Sequence, residues 1–243
     1  MIFKVKWVDE TASTNSDLKE AARLGAPLGS VLAARRQSGG RGRMDRAFYS
    51  GGGGLYMSVI LPMETPERAG VLTTYAAVAT ARAVERLFDV DVKIKWVNDL
   101  YVGGKKVCGI LAEGVATEWG YRAVLGIGVN ICNELPNELA EIATTLFAEC
   151  GKKIRPDVLA EAILREFENF ENADFAETLD EYRHKCFVIG ENITVVSHSD
   201  TTFEAKALKV LDDGSLLVKR LDSGEEVRVF SGEVSTKISR GEK

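Results

Sequence analysis

A glycine- and arginine-rich stretch at residues 39–46, with the sequence GGRGRMDR, has the clearest capacity for chemistry. Glycines let backbone N–H groups approach an anion closely, and arginines supply forked donors that stay charged. The stretch lies between two apolar segments and is longer than a simple connection requires. It matches neither of the common glycine-rich nucleotide motifs. We interpret it as a loop that binds phosphate or carboxylate, the alternative being a solvated loop with incidental arginines.

A second feature combines residues 93–99, KIKWVND, with residues 105–113, KKVCGILAE. A lysine, an amide and a carboxylate in adjacent positions can hold phosphate oxygens and Mg²⁺ together. Taken alone, the segment is better explained as a strand with solvated lysines followed by an Asn-Asp turn.

Two weaker features are the glycine pair within residues 126–130, GIGVN, and the triplet Ser13-Thr14-Asn15. Glycines inside an apolar strand usually mark a bulge or a close approach by another segment or a ligand. Hydroxyl groups before a helix are most often a helix cap, although they also suit a polar ligand. Neither feature is specific by itself.

In combination and in this order, these features resemble the motifs of biotin protein ligases. The matching motifs are Ser-Thr-Asn, Gln-x-x-Gly-Arg-Gly-Arg, Gly-Gly-Leu-Tyr-x-Ser, Lys-Trp-x-Asn-Asp, Lys-x-x-Gly-Ile-Leu-x-Glu and Gly-x-Gly-x-Asn. Residues 231–235, SGEVS, resemble the family's closing segment, so the resemblance spans essentially the whole chain. Six ordered matches outweigh the separate structural explanation of each motif.

The resemblance implies an ATP-dependent ligase whose substrates are biotin and MgATP. The enzyme would form biotinyl-5'-AMP and transfer biotin to a lysine of a biotin carboxyl carrier protein. The implied catalytic residues are Lys106, Arg41 and Arg43. The implied biotin-binding residues are Ser13, Thr14, Asn15, Gln37, Gly40, Arg41, Lys106, Gly109, Gly126 and Gly128. The implied ATP-binding residues are Arg41, Gly42, Arg43, Phe48, Lys95, Asn98, Asp99, Lys106 and Asn130, with Asp99 also beside the metal.

The chain departs from the family pattern at three positions, where Asp45, Phe48 and Val97 replace the usual glycine, tryptophan and proline. Asp45 brings a negative charge into a loop that is expected to face phosphates, and Arg43 or Arg46 can neutralise it. Phe48 keeps an aromatic face for adenine but lacks an indole N–H. Every charged group that the chemistry requires is retained.

Three other functions share some of these features. A lipoate ligase would need a long apolar tunnel instead of a slot for a polar ring, and the full set of biotin-type motifs disfavours it. A biotin-sensing repressor would need a DNA-binding helix-turn-helix before Phe3, where we expect no room, and the net charge of −5 also argues against nucleic-acid binding. A non-catalytic biotin-binding module would need neither Lys106 nor the glycine- and arginine-rich stretch.

The segments that must position these residues indicate an α+β fold. Apolar periodicity predicts helices over residues 14–25, 66–88, 138–148 and 156–170. Strands are predicted over residues 30–34, 55–61 and 121–131, with a meander of strands over residues 93–113. The first helix has capping-box spacing from Thr14 to Asp17 and a stop at Gly25. The resemblance implies a mixed sheet flanked by helices, as in the class II synthetase-like catalytic domain of biotin ligases.

The character of the sequence changes near residue 187. Turn pairs such as Asp213-Gly214 and Ser223-Gly224 separate short alternating segments, which span residues 193–197, 203–210, 216–221 and 226–230. We predict a catalytic domain over residues 1–186 and a small all-β barrel over residues 187–243, which the resemblance implies to be SH3-like.

The composition of the 243 residues favours a cytoplasmic protein with no membrane segment. The chain is charged from Lys4 onward, without the apolar run of a secretion signal, and no apolar run approaches a membrane-spanning length. Its four cysteines are scattered, which disfavours a zinc site or a disulfide framework. Exposed strand edges would also allow a homodimer.

Overall fold

The computed structural model of the protein describes residues 1–44, 46–65, 68–168, 174–196, 201–230 and 232–236. Within these ranges the helices are α1 (Thr14–Arg23), α2 (Ala69–Phe88), α3 (Leu146–Cys150), α4 (Pro156–Phe167) and α5 (Phe175–Lys185). The strands are β1 (Lys4–Thr11), β2 (Ser30–Gln37), β3 (Leu55–Pro62), β4 (Lys93–Lys95), β5 (Asp99–Val102), β6 (Lys105–Thr117), β7 (Gly120–Val129), β8 (Asn192–Val196), β9 (Thr202–Val210), β10 (Leu216–Arg220), β11 (Glu226–Val229) and β12 (Glu233–Ser235).

A seven-stranded mixed sheet in the order β1-β2-β3-β7-β6-β5-β4 forms the centre of the fold. β1 runs parallel to β2, whereas every other neighbouring pair in this sheet is antiparallel. α1 packs on β3 and β7, and α2 packs on β5 and β6. This arrangement confirms the predicted α+β class with a mixed sheet flanked by helices.

The central strand β3 is buried from Leu55 to Leu61 because both of its faces are covered, and Ser58 interrupts its apolar residues. Ile60 packs with Leu18 and Ala22 of α1 on one face. Met57 and Val59 belong to the larger core that includes residues of α2 and α4. Burial of a side chain as large as Ile60 contributes roughly 1.5–3 kcal/mol. This packing fixes the start of α1 beside the middle of the sheet.

The start of α1 differs from the predicted capping box. Ser13 is the N-cap, and its hydroxyl accepts a hydrogen bond from the backbone N–H of Ser16 at 3.4 Å. The Asp17 carboxylate accepts from the Thr11 hydroxyl instead of capping the helix. Thr14 is therefore free to direct its side chain toward the sheet. The predicted stop is confirmed, since α1 ends at Arg23 and Gly25 has a positive φ of 90°.

The predicted helix over residues 138–148 is wrong. The chain forms a short 3₁₀ turn at Asn137–Leu139 and then α3, with a segment between them that runs beside β6. In that segment the Lys106 N–H donates to the Ile142 carbonyl at 3.0 Å, and the Thr144 N–H donates to the Lys106 carbonyl at 2.9 Å. These long-range backbone bonds override the local helical pattern.

Other boundaries shift, and three elements were not predicted. These three elements are β1, β12 and α5, and the buried residues of α5 are Thr178, Leu179 and Tyr182. β1 alternates charged and apolar residues at the sheet edge, which is a weak signal. The predicted ends at residues 66, 170 and 197 lie outside the described residues, as does residue 231 of the closing segment.

The C-terminal part forms a second, five-stranded antiparallel sheet in the order β11-β10-β9-β8-β12. The predicted turns contain Gly214 and Gly224, with φ values of 81° and 74°. The Trp96 indole N–H donates to the Gly214 carbonyl at 2.9 Å and joins this sheet to the central one. The boundary at residue 187 stays a prediction. Among the described residues, no helix combines the length and the apolar character that crossing a membrane requires.

Candidate active site

A cavity of about 410 Å³ lies between the start of α1, the central sheet, the arginine loop (residues 39–48) and residues 232–235. It brings together almost all of the predicted site residues. Those that line it are Ser13, Thr14, Asn15, Gln37, Arg41, Gly42, Arg43, Phe48, Lys95, Asn98, Asp99, Lys106, Gly109, Gly126, Gly128 and Asn130. Gly40 does not line it. Gly40 is buried, and a Cβ there would collide with the Phe48 carbonyl and the Ser50 hydroxyl.

At the polar end of the cavity (Ser13, Thr14, Asn15 and Gln37, together with the buried Ser58 bonded to them), the side chains of Thr14, Asn15, Gln37 and Ser58 form one hydrogen-bonded set. The backbone N–H and the hydroxyl of Thr14 both donate to Gln37 Oε1, at 2.8 and 3.1 Å. Gln37 Nε2 donates to the Ser50 hydroxyl at 2.9 Å. Both ends of the Gln37 amide are thereby oriented before any ligand binds.

Asn15 is held from three sides. Its Nδ2 donates to Glu113 Oε2 at 2.9 Å and to the Leu111 carbonyl at 3.4 Å. Its Oδ1 accepts from the buried Ser58 hydroxyl at 2.6 Å. Ser58 and Glu113 lie within the motifs recognised in the sequence, but no role was predicted for either of them.

The strand glycines make room for protein side chains. A Cβ at Gly126 would collide with Asn15 Oδ1. A Cβ at Gly128 would lie 2.6 Å from Phe48 Cε1, and one at Gly109 would lie 3.0 Å from Phe48 Cε2. These glycines therefore admit the Asn15 amide and the Phe48 ring to the cavity wall, and they also line the cavity themselves.

The cationic end of the cavity (Arg43, Lys95, Asp99 and Lys106) concentrates positive charge around one carboxylate. Lys106 Nζ lies 2.7 Å from Asp99 Oδ1 and 5.9 Å from the centre of the Phe48 ring. Lys95 is only 7% exposed, and this burial lowers its pKa although the Asp99 charge opposes the shift. An anion entering this end would meet partly desolvated cations, which attract it more strongly than they would in water.

Apart from residue 45, the arginine loop pairs residues 40–42 with residues 46–48 as a narrow hairpin, and its arginines point to different partners. Gly42 N–H donates to the Arg46 carbonyl at 2.7 Å, and Phe48 N–H donates to the Gly40 carbonyl at 2.9 Å. Arg41 is exposed, and its Nη2 lies 3.4 Å from Glu113 Oε1. The predicted loop thus has defined anchors at both ends.

Arg43 connects the loop to both sheets. Its guanidinium donates to Asn98 Oδ1 at 3.2 Å and to the Gly232 carbonyl at 2.9 Å. Burial lowers the pKa of Arg43, while the nearby Asp99 charge acts in the opposite direction. Arg46 makes a separate contact, donating to Glu233 Oε1 at 2.7 Å. The loop is therefore fastened to the C-terminal part by one partly buried arginine and one exposed arginine.

The three departures from the family pattern have different outcomes. Phe48 packs over Gly109 and Gly128 inside the cavity. The Trp96–Val97 peptide bond is cis, and the Tyr182 hydroxyl donates to the Val97 carbonyl at 3.1 Å. Asp45 lies outside the described residues, so its predicted neutralisation stays a prediction.

An apolar wall completes the cavity on the side of residues 135–143. Leu135, Leu139, Ile142 and Ala143 line it. Asn130 lies beside this wall, and its Oδ1 accepts from Asn133 Nδ2 at 3.2 Å. The wall was not predicted, because three of these residues fall within the helix predicted over residues 138–148.

Few carboxylate groups of the described residues are available in the cavity to bind a metal ion. Within the described ranges, no group of three or more His, Cys, Asp or Glu side chains converges as a metal site. Asp99 supplies one carboxylate to the cavity. Magnesium is commonly held by one or two protein carboxylates together with substrate phosphates, and Asp99 fits that pattern.

Comparisons with known proteins agree on one family. The model of the biotin/lipoate A/B protein ligase family matches residues 7–130. The bifunctional ligase/repressor BirA of Bacillus subtilis is 34% identical over 237 residues, which cover 93% of this chain and 72% of that protein. The biotin–[acetyl-CoA-carboxylase] ligase of Mycobacterium tuberculosis is 32% identical over 238 residues, which cover 93% of this chain and 86% of that protein.

A solved structure extends the agreement to the fold. The biotin protein ligase from Aquifex aeolicus in complex with biotin and ATP is similar with a TM-score of 0.80 at 28% sequence identity. The match covers 96% of this chain and 97% of that chain. The chain therefore belongs to the biotin/lipoate A/B protein ligase family and is a ligase.

Proposed function

We propose that this protein is a biotin–protein ligase, which activates biotin with MgATP to biotinyl-5'-AMP and transfers biotin to a lysine of a biotin carboxyl carrier protein. The observation that carries the proposal is that one cavity joins the polar end to the cationic end. Biotin has a polar ring at one end and a carboxylate at the other, which matches this arrangement. The relatives named as biotin ligases support the same substrate.

The polar end accounts for selection of the ring. Thr14 and Gln37 hold each other in place, so their remaining donors and acceptors can meet a cyclic urea without first becoming ordered. A site built to hydrogen-bond a polar group rejects an analogue that lacks it, because the buried groups would stay unpaired. We infer that this end favours biotin over lipoate, whose ring offers sulfur atoms only.

ATP would occupy the opposite end. The apolar wall around Leu139 and Ile142 suits a purine, and the Phe48 ring offers an aromatic face. Arg43, Lys95 and Lys106 would receive the phosphates. Asp99 would hold the magnesium ion that accompanies ATP, and that ion would neutralise part of the phosphate charge.

In the first step a biotin carboxylate oxygen attacks the α-phosphorus of ATP. The bond between that phosphorus and the oxygen bridging to the β-phosphate breaks, and pyrophosphate leaves. Because two anions must approach each other, positioned cations are the main requirement. Lys106 can meet it by exchanging its Asp99 partner for the substrate oxygens.

In the second step the neutral amine of the acceptor lysine attacks the carbonyl carbon of the mixed anhydride. The bond from that carbon to the phosphate oxygen breaks, AMP leaves with the electron pair, and the nitrogen loses a proton. No residue of the ligase has to act as a nucleophile. The anhydride hydrolyses easily, so closure of the arginine loop over it would exclude water.

Biotin-dependent exchange of radiolabelled pyrophosphate into ATP tests the proposal directly. We expect exchange with biotin and little with lipoate at the same concentration. Exchange with lipoate alone would favour a lipoate ligase, and binding of biotin without any exchange would favour a non-catalytic binding module. Transfer is tested by adding a carrier domain and following biotin on its lysine.

Other parts of the proposal are a cytoplasmic location, a domain boundary near residue 187, and no binding to nucleic acid. A homodimer joined through a sheet edge also belongs to it, since β1 and β4 lie at the edges of the central sheet.

A further inference from the structure

Glu113 stands behind the cavity and does not line it, yet it contacts both the polar end and the arginine loop. It lies on β6, and its side chain is 17% exposed. Oε2 accepts from Asn15 Nδ2 at 2.9 Å, while Oε1 lies 2.7 Å from Lys19 Nζ and 3.4 Å from Arg41 Nη2. One carboxylate thus uses its two oxygens for two different parts of the site.

We propose that Glu113 is a positioning residue that fixes the Asn15 amide with one oxygen and holds Arg41 of the arginine loop with the other. The inference rests on the proposed function, because it concerns how the site for biotin and its adenylate is kept in shape. Glu113 acts through its neighbours and touches no reacting atom.

The Asn15 contact has the larger structural consequence. Asn15 sits in a notch made by Gly126, where a Cβ would collide with its Oδ1, so the amide cannot turn freely. Ser58 binds Oδ1 from one side and Glu113 binds Nδ2 from the other. Loss of a partner from such a buried amide should weaken biotin binding roughly tenfold.

The Arg41 contact is weaker but reaches the loop. The Arg41 side chain is 42% exposed, so its pairing with Glu113 is screened by solvent. Arg41 also forms a backbone bridge with Ala47, which places the Glu113 contact at the base of the hairpin. Releasing Arg41 should therefore loosen the loop slightly and let the adenylate escape about threefold faster.

Two substitutions separate these two effects. Glu113→Gln keeps an oxygen for Asn15 but removes the charge that attracts Arg41 and Lys19, so we expect faster adenylate escape with the KM for biotin within twofold of the parent. Glu113→Ala removes both contacts and should also raise the KM for biotin about tenfold. A matched control is Glu166→Gln, because Glu166 is 18% exposed and pairs with Arg86 at 2.7 Å and Arg82 at 3.9 Å, away from the cavity. The control should change neither quantity.

A double-mutant cycle decides whether Glu113 acts through Arg41. If it does, Glu113→Gln adds nothing to the escape rate in an Arg41→Met background, because the interaction is already absent. Equal effects of Glu113→Gln in both backgrounds would overturn the proposal, and so would a uniform loss of activity that follows thermal stability. If the parent forms no adenylate, the proposed function fails; if the parent retains adenylate and both Glu113 variants match it, only this inference fails.

Discussion

The two ends of the cavity are prepared for their ligands in different ways. At the polar end, neutral hydroxyl and amide groups bond to one another, from Ser50 through Gln37 and Thr14 to Ser58 and Asn15. At the cationic end, three cations lie around the single carboxylate of Asp99, and two of them contact acceptor groups of the protein. Lys106 lies against Asp99, and Arg43 donates to Asn98 and to the Gly232 carbonyl.

The polar end therefore orients its ligand through hydrogen bonds, whereas the cationic end attracts its ligand through charge. The polar end is a template whose geometry exists before the ligand arrives, so binding there requires little rearrangement. At the cationic end, Lys106 and Arg43 already contact groups of the protein, and these contacts must be exchanged for contacts with the anionic substrates when the substrates enter. We therefore expect substitutions at the polar end to change affinity for biotin, and substitutions at the cationic end to change the rate of adenylate formation or the retention of the adenylate.

Removing Lys106 should have the largest effect. Lys106→Ala deletes a cation at the reacting centre, and we expect adenylate formation to fall at least ~100-fold, the usual scale for losing one aligned charge. Biotin binding should change much less, because the ring contacts lie at the polar end. Single-turnover formation of adenylate and equilibrium binding of biotin measure the two quantities.

The matched control for Lys106 is Lys93→Ala. Lys93 is an exposed lysine that pairs with Asp91 and does not line the cavity. Its removal should leave both quantities near the parent values. If Lys106→Ala keeps the parent rate, Lys106 is only a strand lysine and the cationic end is not the reacting centre.

The Arg43→Gly variant should still form the adenylate but should lose it faster than the parent. The change removes the contacts to Asn98 and Gly232 and adds backbone freedom to the arginine loop. We expect adenylate to dissociate at least roughly tenfold faster, since even one charge-assisted bond to a partly buried guanidinium is worth about 1.5–3 kcal/mol. The adenylate dissociation rate, together with labelling of lysines on a bystander protein, measures the effect.

Arg46→Gly gives the comparison within the same loop. Arg46 also reaches the C-terminal part through Glu233, but its side chain is 65% exposed, so its loss should have a much smaller effect. Equal retention of adenylate by the parent and Arg43→Gly would show that the arginine loop does not act as the lid.

Ser58→Ala tests the polar end. The substitution leaves Asn15 Oδ1 without its 2.6 Å donor in a buried site, and we expect the KM for biotin to rise about tenfold. The KM for ATP should stay within twofold, because Ser58 is bonded to Thr14 and Asn15 only at the polar end. Steady-state kinetics with each substrate varied in turn measures both values. A rise in both KM values would mean that the two ends are not independent.

The sequence predicted charged and glycine residues of the site better than its small hydroxyl groups. Lys106, Asp99 and Arg43 stand in motifs whose order is distinctive, and the structure places them around one cavity. Ser50 and Ser58 were given no role, because a serine beside or within an apolar strand carries no signal of what it bonds.

Long-range backbone pairing limited the prediction of the fold. Residues 138–148 have a helical pattern, but part of this segment pairs with Lys106 instead. The strand glycines show a second limit of the prediction. A glycine in a strand indicates close approach, and only the structure identifies Phe48 as the group that approaches Gly128. The motifs thus predicted which residues meet, while the groups that orient them depend on contacts far apart in sequence.

The smallest expected effect concerns Glu113, which joins the polar end to the arginine loop. Burial by itself would raise the pKa of Glu113, but hydrogen bonds from Lys19 and Asn15 and the charges of Lys19 and Arg41 outweigh it and lower the pKa. A carboxylate whose pKa is lower in the folded protein than in the unfolded chain stabilises the fold above its unfolded pKa, about 4.3 for glutamate. That contribution is lost as the pH falls through the lower pKa of the folded state.

Glu113→Gln removes the titrating group, so the parent and the variant should differ most near neutral pH. We expect the parent to have the higher free energy of unfolding at about pH 7, by on the order of 1 kcal/mol because the pairing with Arg41 is screened by solvent. The difference should shrink as the pH falls below about 4.3, the pKa of glutamate in the unfolded chain. Urea unfolding of both proteins across this range measures it. A difference that stays constant with pH would mean that the Glu113 carboxylate is not favoured in its charged form, and the link between the polar end and the arginine loop would then rest on packing alone.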